Sequence, residues 1–111
     1  MNRMIIDGTR TTGSTLRAIE VVNPVNEEVR DAVPRGGVGD ADVAVRAARG
    51  AFDPWRKLGA FRRTRLLHQV ADKIRTRQAE PLRLLTLEEG KRLVENAEEL
   101  DWVANTFHYY A

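Results

Sequence analysis

Short apolar runs separated by turn residues characterise the first third of the chain. Met4–Ile6 is closed by Asp7 and Gly8, and two further runs follow at Leu16–Val22 and Val29–Val33. Runs of this length, bounded by Gly, Asn, Pro or Thr, are typical of β-strands. The pattern therefore predicts three short strands between about residues 4 and 34, in which Val22 interrupts strict alternation.

From Ala41 onward the apolar positions recur every three or four residues, which indicates helices. Asp40 or Gly37 can cap the first of them, and Pro54 is expected to end it. A second helix is predicted from about Ala60, where one apolar face is opposed by charged residues. That face consists of Leu67, Val70, Ala71 and Ile74.

Two more helices complete the prediction. Pro81 belongs in the first turn of the third helix, which Gly90 ends. The fourth runs from about Leu93 to the end, and its apolar seam should pack against a partner helix. The seam consists of Leu93, Ala97, Leu100, Ala104, Phe107 and Ala111. The expected fold class is α+β in one continuous unit over residues 1–111, with strands over about 4–34 and four helices over about 40–111.

Composition narrows the possible functions. The 111 residues contain no cysteine, which excludes disulfides, thiolate metal sites and a cysteine nucleophile within them. The net charge of +2 comes from 18 basic and 16 acidic residues, a smaller excess than nucleic-acid binders usually carry. No apolar run approaches the roughly 18 residues of a membrane span, and the N-terminal run is too short for a secretory signal. We expect a cytoplasmic protein with no membrane partner.

Several candidate sites have simpler interpretations. The Gly36–Gly39 run precedes a helix, but it matches neither dinucleotide nor P-loop patterns and is interpreted as a plain loop. His68 and His108 have no second histidine at a ligand spacing, so a metal site is not expected. His68 is interpreted as a surface or boundary side chain. The Glu88–Glu89 pair could act as acid and base, but without a neighbouring nucleophile it indicates a helix end.

A basic cluster invites a nucleic-acid interpretation. It consists of Arg56, Lys57, Arg62, Arg63 and Arg65, with Trp55 and Phe61 interleaved. Such a mixture resembles an RNA-contacting patch. The simpler alternative, which we favour, is a solvated helix face whose aromatic side chains point into the core.

A series of stretches, taken in order, resembles the N-terminal segment of the aldehyde dehydrogenase superfamily. They are Ile6-Asp7-Gly8, Ile19-Glu20-Val21-Val22-Asn23-Pro24, Ala47-Ala48-Arg49-Gly50-Ala51-Phe52, Arg65-Leu66-Leu67, Leu87-Glu88-Glu89-Gly90-Lys91 and Asp101 to Ala111. The resemblance implies a piece of an α/β, Rossmann-like architecture. Its members oxidise aldehydes to acids with NAD or NADP, through a cysteine thiolate and a glutamate-activated water.

Those catalytic and cofactor residues belong to sequence that follows this segment in the family. No catalytic or cofactor-binding residue is therefore assigned here, and the chain alone is expected to be inactive and to bind no NAD(P). The resemblance implies the remainder of the dehydrogenase as partner, in a homo-oligomeric parent enzyme. It also implies a possible Na⁺ or K⁺ site formed by the carbonyls of Val21 and Val22 and by Glu88, with a further ligand from beyond residue 111.

The chain departs from the family pattern at two points. Glu27 stands where the family usually has Gly, so Asn26 is expected to take the positive φ of that turn. Arg92 follows Lys91 where the family often has Pro. Neither departure changes the assignment.

Two other functions are compatible with the sequence. One is a small helical binding module that uses the basic cluster from Arg56 to Arg65, and the other is a noncatalytic partner of a separately encoded dehydrogenase remainder. In the favoured interpretation, the isolated chain exposes an apolar surface along Leu93, Leu100 and Phe107.

Overall fold

A computed structural model describes residues 3–111, and four strands precede four helices, which confirms the predicted order. The strands are β1 (Met4–Ile6), β2 (Thr9–Thr11), β3 (Ala18–Val22) and β4 (Val29–Pro34). The helices are α1 (Val38–Lys57), α2 (Ala60–Thr76), α3 (Ala79–Glu89) and α4 (Leu93–Tyr110). The described residues form two compact units, a strand-rich one (3–22 and 27–57) and a helical one (23–26 and 58–111). The single continuous domain stays a prediction.

The first hairpin of the strand-rich unit contains a strand that the apolar pattern missed. β1 and β2 pair antiparallel, with Ile6 opposite Thr9, around the two-residue turn Asp7-Gly8. Both turn residues have positive φ, 51° and 71°, as this tight hairpin turn requires. The sequence of β2 shows no apolar alternation. These residues form a strand because the Asp7-Gly8 turn aligns them with β1, and the backbone groups of the two strands pair.

The second hairpin pairs β3 with β4 antiparallel, with an irregularity beside Val21 and Val22. Its first strand begins at Ala18, not at the predicted Leu16, because Leu16 has a φ of 54° that a strand cannot accommodate. The positive φ of the connecting turn belongs to Glu27, at 59°, so its assignment to Asn26 was wrong. Glu27 thus has the left-handed backbone conformation that glycine adopts without steric cost.

α1 begins at Val38 and continues through Pro54 to Lys57, so the prediction that Pro54 ends it was wrong. Proline removes one hydrogen bond but has a φ compatible with helix, and here only a last turn follows it. Val45, Ala48 and Phe52 recur at helical spacing on this helix, and all three are exposed.

The helical unit is built on the packing of α4 against α2, with α3 also contacting α4. Its buried residues are Ala71, Asn96, Leu100 and Ala104. The partner helix predicted for the α4 seam is therefore α2. Leu100 is only 8% exposed, so the expected exposure of this seam residue was wrong.

Leu93 is the exposed position of the α4 seam, with 55% of its surface accessible to solvent. Thr64 contacts Ala111 and Arg75 contacts Asn105, so α2 and α4 run antiparallel. Because α2 ends at Thr76, the first turns of α4 extend past its end.

Candidate functional site

A set of polar side chains joins α2 to α4 in the helical unit. The Nδ1 atoms of His68 and His108 lie 2.6 Å apart, and both side chains are half-buried. Arg75 donates from Nη2 to Asn105 Oδ1 at 2.7 Å, and its Nη1 lies 3.3 Å from His108 Nε2. Thr64 donates its hydroxyl hydrogen to the carbonyl of Ala111. We call the set of His68, Arg75, Asn105 and His108 the α2–α4 clasp.

Sequence reasoning did not find this clasp. The two histidines are distant in the chain, and their pairing depends on the antiparallel packing of α2 and α4. The helical spacing between His68 and Arg75 is two turns, which places them on one face of α2. That spacing was the available signal, but it does not identify a partner on another helix.

In the strand-rich unit, the Asp40 carboxylate ties the start of α1 to the loop after β2. Oδ2 accepts hydrogen bonds from the Gly37 N–H at 2.8 Å and from the Ser14 hydroxyl at 2.8 Å. The Ser14 N–H also donates to Asp40 Oδ1 at 3.0 Å. The bond from the Gly37 amide, followed by those from Ser14, lowers the pKa of Asp40 below its ordinary value.

The Asp40 contacts show whether the Gly36–Gly39 run can bind a phosphate. A pyrophosphate at a helix N-terminus is held by the free backbone N–H groups there. Here the Gly37 amide already donates to Asp40, whose negative charge would also repel an anion. The run from Gly36 to Gly39 therefore does not fit a dinucleotide phosphate, and Gly37 is the residue immediately before α1.

A tight turn between α3 and α4 positions a second charged pair. Gly90 ends α3 as predicted, with a left-handed φ of 74° and its N–H donating to the Thr86 carbonyl. Lys91 follows and forms an ion pair with Glu99 on α4. The hydrogen bond to Glu99 raises the pKa of Lys91.

The residues predicted for a monovalent cation are divided between the two units. Val21 and Val22 lie at the irregularity of β3 in the strand-rich unit, where Val21 pairs with Asp31 and Val22 with Val29. Glu88 is exposed at the last turn of α3 in the helical unit. Carbonyl and carboxylate oxygens are suitable donors for Na⁺ or K⁺. The site stays a prediction.

The aromatic residues of the basic cluster are not in a core, so that part of the simpler interpretation was wrong. Phe61 is 82% exposed and Trp55 is 42% exposed. Phe61 lies in the first turn of α2, before the residues that α4 covers. Nearby, Leu58, Arg62, Arg65, Leu66 and Gln69 line a shallow cavity of about 420 Å³. Arg56 forms an exposed ion pair with Asp53 at 3.3 Å.

Residues 3–111 contain neither a cluster of metal-ligand side chains nor a membrane-spanning helix. No three His, Cys, Asp or Glu side chains in this range come together as metal ligands could. None of its four helices combines the length and apolar character needed to span a bilayer.

Comparison with known proteins places this fold. A sequence profile described as the aldehyde dehydrogenase family matches residues 11–111. The chain belongs to this family. It is 36% identical over 110 residues to a betaine aldehyde dehydrogenase of Bacillus subtilis, and 32% identical over 111 residues to aminoaldehyde dehydrogenase 2 of Solanum lycopersicum. The alignments include 97% and 98% of this chain.

Two solved structures have a similar backbone over nearly the whole of this chain. A betaine aldehyde dehydrogenase from Staphylococcus aureus, in complex with NAD⁺, superposes over 97% of this chain with a TM-score of 0.92 and 34% identity. An E. coli NADP-dependent enzyme superposes over 96% with a TM-score of 0.94 and 31% identity. The chain spans 22% of the length of these relatives. The resemblance to an aldehyde dehydrogenase segment is confirmed.

Proposed function

We propose that this chain is the N-terminal segment of an NAD(P)-dependent aldehyde dehydrogenase that converts an aldehyde to a carboxylic acid. The observation that carries the proposal is the superposition of nearly the whole chain on a dehydrogenase structure containing NAD⁺. Sequence identity above 30% accompanies that superposition. The named relatives act on betaine aldehyde or aminoaldehydes, so a small aldehyde bearing a cationic nitrogen is the first substrate class to test.

We propose that the contribution of residues 1–111 to this reaction is architectural. They contain no cysteine to serve as the nucleophile. The polar contacts described above link structural elements to one another: Asp40 holds the start of α1, and the α2–α4 clasp joins two helices. The glycine run before α1 does not fit a dinucleotide, so no step of hydride transfer is assigned to this chain.

Exposed apolar side chains support the proposal that the remainder of the dehydrogenase packs against this chain. Large contiguous apolar patches on a soluble protein mark interaction surfaces, whereas single exposed apolar side chains are ordinary. Within residues 3–111, the exposed large apolar side chains include Val45, Phe52, Phe61, Trp102, Tyr109 and Tyr110, each between 62% and 82% exposed. In this proposal the full enzyme is homo-oligomeric and cytoplasmic.

The test compares the turnover of this chain alone with its turnover when it is mixed with the remainder of a dehydrogenase. The purified chain, incubated with NAD⁺ or NADP⁺ and betaine aldehyde, should give no increase in NADH or NADPH absorbance. The chain mixed with the remainder of a homologous dehydrogenase should restore turnover to that remainder. Turnover by the chain alone would contradict an architectural role, whereas a failure to restore turnover under any mixing condition would contradict the partnership.

The cation site is a second part of the proposal. Val21 and Val22 would supply carbonyl oxygens and Glu88 a carboxylate to Na⁺ or K⁺ in the complete enzyme. Glu88→Gln should weaken the dependence of thermal stability on K⁺ in that enzyme. Glu89→Gln, the adjacent carboxylate, is the matched control. Equal K⁺ dependence in both variants and the parent would contradict the assignment of Glu88.

Binding of nucleic acid is the second candidate function, and the exposure of Phe61 beside Arg62 and Arg65 favours testing it. It requires single-stranded RNA binding that weakens with salt and on neutralising both arginines. The dehydrogenase proposal expects no salt-sensitive binding in fluorescence anisotropy. A binding constant that falls steeply with salt would favour the binding module instead.

A further inference from the structure

A groove on the surface of the helical unit is lined by side chains from α2, α3 and α4. It has a volume of about 380 Å³, and its apolar wall consists of Val70, Ile74, Pro81, Leu100 and Val103. Leu100 is buried, whereas Val70 and Val103 are 39% and 44% exposed. Because these side chains line one cavity, they form a contiguous apolar surface that water can reach. Surfaces of this kind mark interaction sites.

Basic side chains line the α2 side of this groove. Lys73 lies in the last turn of α2, and Arg77 caps the C-terminal end of the same helix. Within residues 3–111 neither of them forms an ion pair. Glu80, in the first turn of α3, adds one negative charge on the opposite side. The groove therefore has a net positive charge, which complements an occupant that carries a carboxylate next to an apolar side chain.

The relatives indicate which polypeptide is available to fill the groove. This chain spans 22% of their length, so most of each relative lies outside the aligned segment. The backbone of nearly the whole chain superposes on part of a longer dehydrogenase chain. The three helices that form the groove are therefore present in a protein that contains much more polypeptide.

We propose that the groove between α2, α3 and α4 is a docking site for the remainder of the dehydrogenase. This inference rests on the proposed function, which supplies the partner. A segment of that remainder inserts an apolar side chain against Leu100 and Val103. An adjacent carboxylate of the segment pairs with Lys73 and Arg77. Glu80 repels a carboxylate on the α3 side, so the acidic group faces α2.

Protection of an introduced cysteine tests the docking site, because the chain has no cysteine of its own. Val103→Cys places a thiol in the groove. Val94→Cys, in the exposed first turn of the same helix, is the matched control. Alkylation by iodoacetamide is followed by mass spectrometry of this chain, alone and mixed with the remainder of the Bacillus subtilis betaine aldehyde dehydrogenase.

A saturating concentration of that remainder should slow alkylation at position 103 by at least about tenfold, because only the free chain then reacts. Alkylation at position 94 should keep its rate. Equal slowing at both positions, or unchanged alkylation at 103 although the remainder binds, would overturn the groove assignment and leave the partnership intact. Absence of any binding would overturn the partnership as well. Protection at 103 that rises with the concentration of this chain alone would identify a second copy as the occupant and overturn the proposal.

Removal of one charge supplies an independent measurement. Arg77→Gln removes a cation from the groove, whereas Arg83→Gln removes an exposed arginine of α3 that does not line it. At low salt, Arg77→Gln should weaken binding of the same remainder about threefold or more, and the difference should shrink as salt screens the charges. Arg83→Gln should bind like the parent. Equal dissociation constants in the two variants, measured by fluorescence anisotropy, would overturn the proposal.

A chimera serves if the isolated remainder does not fold. Residues 1–111 replace the aligned segment of the Bacillus subtilis enzyme in one continuous chain, which carries either Val103→Cys or Val94→Cys. Position 103 should react at least about tenfold more slowly than in the isolated chain, because labelling then requires local opening. Position 94 should react at a similar rate in both. An unchanged rate at position 103 would overturn the proposal.

Discussion

Gly90 lies so close to Pro24 that a Cβ atom at position 90 would be 3.0 Å from the proline Cγ. This glycine also has a left-handed φ of 74° at the end of α3. Close approach and backbone conformation therefore both require the absence of a side chain at this position. The contact places the Asn23–Asn26 turn against the end of α3.

Gly90→Ala should lower the free energy of unfolding by about 1–3 kcal/mol, because it combines left-handed strain with overpacking against Pro24. Gly50→Ala is the matched control, since a Cβ there meets no atom within 4 Å and lies inside α1. That control should gain up to about 1 kcal/mol from helix propensity. Urea denaturation measures both variants, and equal changes would contradict the requirement for glycine at 90.

Asp40→Asn should make the strand-rich unit less stable at neutral pH, since it removes the charge that accepts bonds from Gly37 and Ser14. The pKa of Asp40 is lowered in the folded chain, so its contribution is present above the ordinary value of 3.8 and is lost as the pH falls below it. Asp42→Asn, two residues along α1, is the control. Amide hydrogen exchange of the Gly37 and Ser14 N–H groups reports the effect, and equal protection in both variants would disprove it.

Thr86→Val should cost about 1–3 kcal/mol, because it leaves the buried Asn96 amide without its hydrogen-bond partner. Asn96 is fully buried and donates from Nδ2 to Thr86 Oγ1 at 3.1 Å, while its Oδ1 has no partner within residues 3–111. The Thr86→Val/Asn96→Leu double variant should recover most of the loss, since both polar groups are then replaced by apolar ones.

A double-mutant cycle in urea measures this coupling between Thr86 and Asn96. Thr76→Val is the control, because the exposed Thr76 hydroxyl donates to carbonyls of its own helix. It should change stability by less than about 0.5 kcal/mol. Additive losses at 86 and 96 would show that the two side chains do not depend on each other.

Leu100→Ala should destabilise the helical unit by about 2–5 kcal/mol, as expected for a large-to-small change in a core. Leu100 is 8% exposed between α2 and α4, whereas Leu93 in the same apolar seam is 55% exposed. Leu93→Ala is therefore the matched control and should change stability by less than about 0.5 kcal/mol. Similar losses from both substitutions, measured by thermal denaturation, would show that the seam is buried along its whole length.

Local signals predicted most of the helical part of the chain. Gly90 ends α3 and Pro81 lies in its first turn, because glycine and proline act on the backbone of their own helix turn. The same local rule failed at Pro54, where α1 continues for three residues. β2 was missed because Thr9–Thr11 has no apolar pattern and exists as the partner of β1.

The sequence by itself determined the helices, their apolar faces and the family, since each depends on residue type and order along the chain. Only the tertiary structure decided which apolar positions are buried and which polar groups meet. Leu93 and Leu100 are equivalent in the periodic pattern, but α2 is long enough to cover only Leu100. His68 and His108 likewise form a pair only because α2 and α4 pack antiparallel. Such contacts depend on the packing of distant segments, which no local pattern encodes.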